Sequence, residues 1–171
     1  DKQMEVMGQL NDYFVLRLKN IFQDKGVDYH IIDCVLSDDT LNAAKAARRA
    51  QALIDADLMG KTELLQAFTR VGNMIKDAED TTVDASLCET DEEKALYAAC
   101  QAMESGLAQA YAVYDYAASA DILSEGIGAI NDFLDNVLVM HENAAVKENR
   151  IHLLTLTYSL ISPIGDIKKL S

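Results

Sequence analysis

The stretch FLDNVLVMHENAAVKENRIHLL, residues 133–154, decides the fold. Phe133, Leu134, Val137, Leu138 and Met140 are apolar, while Asp132, Asp135 and Asn136 put polar groups on another side; the spacing predicts the end of an amphipathic helix. His141, Glu142 and Asn143 form a short polar break. From Ala144 onward Val146, Ile151, Leu153, Leu154, Tyr158 and Ile161 resume a helical spacing that stops near Pro163. The simplest structure for this pattern is a helical hairpin.

The same period extends upstream. Asp121–Leu138 reads as one helix with Ile122, Leu123, Ile127, Ile130 and Phe133 inward. Gly126 and Gly128 each weaken it by about 1 kcal/mol relative to Ala and mark a bend or a close contact. Glu92–Ala118 reads as an Ala-rich helix with Leu96, Cys100, Met103, Leu107, Tyr111 and Tyr114 at intervals of three or four residues. Between residues 78 and 93 the period is lost and acids concentrate, which predicts a surface loop with a turn of helix around Val83–Leu87. Thr62 opens a helix with Leu64, Leu65, Phe68, Val71, Met74 and Ile75 on one side and Arg70, Asn73 and Lys76 on the other. Asp38 or Asp39 can cap the helix before it, whose apolar side holds Leu41, Ala44, Leu53 and Ile54 and whose other face carries Lys45, Arg48 and Arg49. That helix should end near Asp57–Gly60. A first helix runs from about residue 4 to 25 on the stripe Val6, Leu10, Phe14, Leu18, Ile21 and Phe22, stopped by Gly26. The apolar run from His30 to Leu36 reads as a short buried helix ending at Ser37, since a lone strand there would have no partner. The expectation is an all-α, single-domain bundle of six or seven helices over residues 1–171.

Composition narrows the function. The chain has 171 residues, is half hydrophobic and contains one proline, so it can bury one substantial core and has no linker tract. Its formal charge of -13 opposes binding to nucleic acid, but the distribution is uneven. Residues 1–76 carry a net -1, residues 77–146 a net -14 and residues 147–171 a net +2. An RNA partner must therefore approach the first third, the last helix, or both. Cys34, Cys88 and Cys100 lack any C-x-x-C spacing and read as reduced, mostly buried thiols rather than a disulfide or zinc framework. No apolar run approaches the roughly 20 residues that span a bilayer, so the expected setting is cytoplasmic, without membrane or DNA partners.

Catalytic and metal motifs are missing. His141-Glu142 is followed by Asn143-Ala144-Ala145 and makes no H-E-x-x-H, and no phosphate-binding glycine loop occurs. The acids Asp84, Glu89, Asp91, Glu92 and Glu93 miss the calcium-loop spacing and read as a solvated helix start, where negative side chains complement exposed N–H groups. Neither a metal nor a cofactor is expected in this chain. The basic set Lys45, Arg48, Arg49, Arg70 and Lys76 is the best composition-based candidate for phosphate or base contact. Tyr13, Tyr29 and Tyr158 are the few candidate stacking platforms in a chain with no Trp and four Phe.

FLDNVLVM followed about ten residues later by NRIHLL resembles the closing motif of the C-terminal anticodon-binding domain, a DALR-like helical domain, of bacterial glycyl-tRNA synthetase beta subunits. YFVLRLKNIFQDKGVDYHIIDCVLS, residues 13–37, resembles the start of that domain, and FTRVGNMIKDAED, residues 68–80, its central helix. The resemblance covers nearly the whole chain and implies an excised C-terminal fragment. It implies binding of the tRNA(Gly) anticodon stem-loop, with the alpha subunit and the remainder of the beta subunit as partners. ATP and Mg2+ would be used by the parent ligase and not by this fragment, which would not be catalytic alone. Arg70 with Asn73, and Asn149 with Arg150, carry the motif best. Arg150 can alternatively pair with Asp135 or Asp132 across the hairpin and be architectural. The rival expectation is a helical protein-interaction or scaffold module that binds no RNA; a coherent stripe of the basic residues favours RNA, and their dispersion favours the rival.

Overall fold

The computed structural model describes residues 2–36, 43–75 and 78–170. Among these there is no strand, and eight α-helices follow in order: α1 (Lys2–Asp24), α2 (Tyr29–Val35), α3 (Ala43–Asp55), α4 (Thr62–Ile75), α5 (Asp91–Ala112), α6 (Tyr116–Glu125), α7 (Ile127–Asn136) and α8 (Ala144–Ile161). Short 3-10 turns occupy Leu58–Gly60, Ala85–Leu87, Ser162–Ile164 and Ile167–Lys169. The expected caps Asp38 and Asp39, together with Ser37 and Leu41, lie outside the described residues. No helix among the described residues is long and apolar enough to cross a membrane.

The all-α expectation holds, with eight helices where six or seven were expected: the chain breaks at 113–115 and at Gly126, whereas the expected boundary between Ala118 and Asp121 falls inside α6. The Ala-rich run stops at Ala112, where Tyr114 takes a left-handed φ of 59° and the Asp115 carboxylate accepts a hydrogen bond from the Ala118 N–H to start α6. Alanine favours helix on either side, so only the cap and the turn mark this corner. The second break falls at Gly126, where a Cβ would sit 2.8 Å from Met103 Cε. The backbone there lies against that α5 side chain. α7 then ends at Asn136, earlier than expected, as Val137 becomes extended. In the following segment Val137 and Val139 are buried while Leu138 and Met140 are exposed, an alternation that extended backbone produces.

α4 and α8 pack on each other at the centre, α5 covers α6, α7 and α8, and α3 joins through α2 and α6. Phe68, Leu96, Leu123, Ile130, Phe133 and Leu154 are fully buried at these contacts. α8 is enclosed on most sides and carries polar groups inward. Thr155 Oγ1 and Thr157 Oγ1 donate to the carbonyls of Ile151 and Leu153, each at 2.8 Å, so their hydroxyls are satisfied within the helix.

α1 departs from the expected pattern. Phe22 is buried, but Val6, Leu10, Phe14 and Ile21 of the predicted core stripe are exposed, with Tyr13 and Leu16 beside them. The helix ends as foreseen at Gly26, whose φ of 76° lets the Val27 N–H return to the Phe22 carbonyl at 3.0 Å.

The C-terminal segment is pinned at Gly165, which has a φ of 137° and lies so close to α2 that a Cβ would fall 2.5 Å from the Cys34 carbonyl oxygen. The next N–H, from Asp166, donates to that same oxygen at 3.3 Å. Burial pushes the Cys34 thiol up to about 12, and it stays protonated. Gly165→Ala is expected to cost about 2–3 kcal/mol through backbone strain and this clash, read as a lower urea midpoint with an unchanged slope.

Candidate nucleic-acid interface

The N-terminal half of α8 is wired to the segment around the start of α5. Thr90 caps α5: its Oγ1 accepts from the Glu93 N–H at 3.2 Å, and Glu93 Oε2 accepts from the N–H groups of Thr90 and Glu89 at 2.8 and 3.1 Å. The same carboxylate receives Arg150, with Nε donating to Oε1 at 2.8 Å and Nη2 to Oε2 at 3.2 Å. Arg150 Nη1 donates to the Leu138 carbonyl at 2.9 Å, and Glu89 lies 3.5 Å from Nη2. Both partners are buried. Burial pushes the Glu93 carboxyl up, but the hydrogen bonds and charge of Arg150 and the Thr90 N–H together hold it below the usual carboxylate range. Its hydrogen bonds with Glu93 raise the Arg150 guanidinium in turn.

Arg150 is therefore architectural, and its partner is not Asp135 or Asp132 as expected from sequence. Asp135 pairs instead with Arg70 Nη2 at 2.6 Å, while Arg70 Nη1 donates to Asn131 Oδ1 at 3.0 Å. Asn149 also points inward. Its Oδ1 accepts from the Asp84 N–H at 2.8 Å and its Nδ2 donates to the Asp84 carbonyl at 3.1 Å, closing the acidic loop onto α8. Arg49 is buried too, donating from Nη2 to the Pro163 carbonyl and from Nε to Tyr116 Oη at 3.3 Å. The Tyr116 hydroxyl is raised by burial, so it stays neutral beside that guanidinium.

The eight residues singled out for RNA contact thus fall into three groups. Arg49, Asn149 and Arg150 are themselves buried, with their hydrogen-bonding groups engaged by Tyr116 and Pro163, by Asp84, and by Glu93 and Leu138. Arg48, Arg70 and Asn73 are exposed. The Lys45 side chain and Lys76 lie outside the described residues. Arg48 lines an open cleft of about 600 Å³ between α3 and the α5–α6 corner, with Tyr114 and Tyr116, whereas Arg70 sits between α4 and α7. The described members of the set are dispersed and form no single stripe. Arg70 is held by an exposed pair: its side chain and that of Asp135 are 48% and 62% exposed, and such a pair contributes at most about 1 kcal/mol, so exchange for a phosphate costs little.

A second cationic region was visible in the sequence only as the positive balance of the last 25 residues. Lys168 and Lys169 are exposed on the turn Ile167–Lys169, and Lys168 Nζ donates to the Gly72 carbonyl at 2.9 Å, next to Asn73. His30 Nδ1 lies 2.7 Å from the Lys169 carbonyl oxygen, and Tyr29 stacks beside its ring. Among the described residues no group of three or more His, Cys, Asp or Glu could hold a metal ion.

Comparison with known proteins adds a family. Residues 64–167 match the DALR anticodon binding domain. The chain is 34% identical over 166 residues to the glycine-tRNA ligase beta subunit of Desulforudis audaxviator, covering 96% of this chain and 24% of that protein. It is 31% identical over 173 residues to that of Clostridioides difficile, covering 99% and 25%, and 32% identical over 171 residues to that of Nitrosomonas europaea, covering 98% and 24%. The chain spans about a quarter of the length of the curated relatives it matches.

Removing one partner of the buried pair leaves the other charge uncompensated. Arg150→Met is expected to cost about 3–5 kcal/mol, with part of that recovered in the double variant Glu93→Gln, Arg150→Met. Because the folded Glu93 carboxyl lies below its ordinary value of 4.5, its contribution is complete above that pH and is lost as pH falls through the folded value. Urea midpoints should show the wild-type advantage over Glu93→Gln shrinking below about pH 4.

Proposed function

We propose a function from one premise, that the chain belongs to the DALR anticodon binding domain family. On that premise it binds the anticodon stem-loop of tRNA(Gly) as part of a glycine-tRNA ligase beta subunit. The observation that carries this reading is the family match over most of the helical core, joined to similarity with glycine-tRNA ligase beta subunits over nearly the full chain. Its contribution to ligation is positional: holding the anticodon end fixes where the acceptor end can lie, which lowers the entropic cost of the reaction elsewhere. The alpha subunit and the remainder of the beta subunit complete the enzyme, ATP and Mg2+ serve the parent ligase, and the setting is cytoplasmic.

Electrostatics restrict how RNA can dock. Asp91 and Glu92 open α5 inside the strongly acidic central region, which repels phosphate. Arg70 and Asn73 on α4, with Lys168 and Lys169 on the C-terminal turn, offer the favourable side. A second reading is supported by two observations, the dispersed arginines and the apolar side chains exposed along α1: a helical interaction module that binds protein and no RNA.

Salt titration of the chain with tRNA(Gly) and with a noncognate tRNA separates the two. Saturable binding that prefers tRNA(Gly) and weakens with salt is expected, and Arg70→Ala should lower the slope of log K against log salt by about 0.9 if the guanidinium meets a phosphate. Asn73→Ala should weaken binding without changing that slope. Failure to bind either tRNA at low salt supports the interaction module instead.

A further inference from the structure

The turn Ile167–Lys169 packs on α2 and α4. Ile167 and Leu170 are buried, so the two lysines between them are held at the surface. On the α2 side, the Lys169 carbonyl accepts from His30 Nδ1, which fixes the imidazole. The Tyr29 ring lies against that imidazole with centroids 3.8 Å apart and planes inclined at 33°. Tyr29 is nevertheless 57% exposed, so its stack with His30 leaves much of the ring open to solvent. On the α4 side, Lys168 Nζ reaches the Gly72 carbonyl and lies 5.7 Å from the centre of the Tyr158 ring, with Asn73 exposed one residue along.

We infer that this surface is a stacking platform for single-stranded RNA: an unpaired base lies on the open part of Tyr29, and the adjoining phosphates meet Lys168 and Lys169. The inference rests on the reading of the chain as an anticodon-arm binder and names the stacking residue within it. Three features support it. An exposed aromatic ring steadied by a neighbouring ring offers a π-face at small entropic cost, and base stacking accepts any nucleobase. The lysines supply the charge that phosphate needs, in a part of the chain that is not net acidic. Asp28 and Asp166, which border Tyr29 and Ile167 in sequence, accept hydrogen bonds from the His30 and Lys168 N–H groups, and Asp33 pairs with Lys19; the charge of Asp28 disfavours a phosphate beside Tyr29 and leaves that place to a base. Bases within a duplex are already stacked, so the platform selects loop or single-stranded RNA.

Fluorescence anisotropy with two RNAs tests this: a hairpin carrying the anticodon arm of a glycine tRNA, and a blunt duplex with no unpaired base. Tyr29→Ala is expected to weaken hairpin binding about tenfold or more and leave duplex binding unchanged, while Tyr29→Phe restores hairpin binding. Lys169→Gln should lower the salt slope by about 0.7. Because Tyr29 is exposed, the unfolding midpoint of each variant should match wild type. Hairpin binding by Tyr29→Ala equal to that of wild type, or an equal loss on both RNAs, overturns the platform while the anticodon-arm reading stands. Failure of the wild-type chain to bind either RNA at low salt overturns both.

Discussion

The Glu93–Arg150 pair is the constraint on which the C-terminal half of the molecule depends. One carboxylate closes the cap of α5 and neutralises a guanidinium that also holds the Leu138 carbonyl in the extended link between α7 and α8, helices that were expected to form a hairpin but pack instead on α5 and α4. Three segments distant in sequence therefore meet at one buried charge pair. Such a pair yields little net stability compared with well-packed apolar residues. Its value is geometric: α8 can enter the bundle only with Arg150 turned toward the start of α5. Asn149 and His152 repeat the logic one helical neighbour away, taking Asp84 backbone groups and the Thr82 carbonyl as partners.

Helix type and approximate extent were legible because the apolar side chains of α4, α5 and α8 recur at three or four residues, and burial follows that period. The corners were less legible. Nothing in the alanine-rich run separates α5 from α6, since the cap at Asp115 becomes visible only when the Tyr114 turn is known. Gly126 was recognised as a bend or close contact, but the side chain that makes it one, Met103, lies 23 residues earlier. The first helix shows the opposite limit: periodicity reports that a helix has an apolar face and says nothing about what lies against it.

Residue roles were the hardest to read. Arg48 and Arg49 are adjacent and chemically identical, yet one faces a cleft and the other bonds inside the bundle to Pro163 and Tyr116. A 100° rotation about a helix axis separates them, and the outcome depends on α6 and the C-terminal turn. Asn149 and Arg150 look like a polar surface pair for the same reason. Lys168 and Lys169 carry no motif, and His30 reads only as the start of an apolar run, because the three meet only where Gly165 brings the C-terminal segment against α2.

Glu93 also limits how the sequence can change. Aspartate is one methylene too short to reach both the α5 cap and Arg150, glutamine presents a single acceptor oxygen where four N–H donors converge, and an apolar residue strands the guanidinium. Substitution at either position is tolerated only when the other changes with it. The two positions are thus expected to drift as one unit across sequences that keep this packing of α8 on α5, a covariation set by the hydrogen-bonding capacity of a single carboxylate and independent of what the outer surface binds.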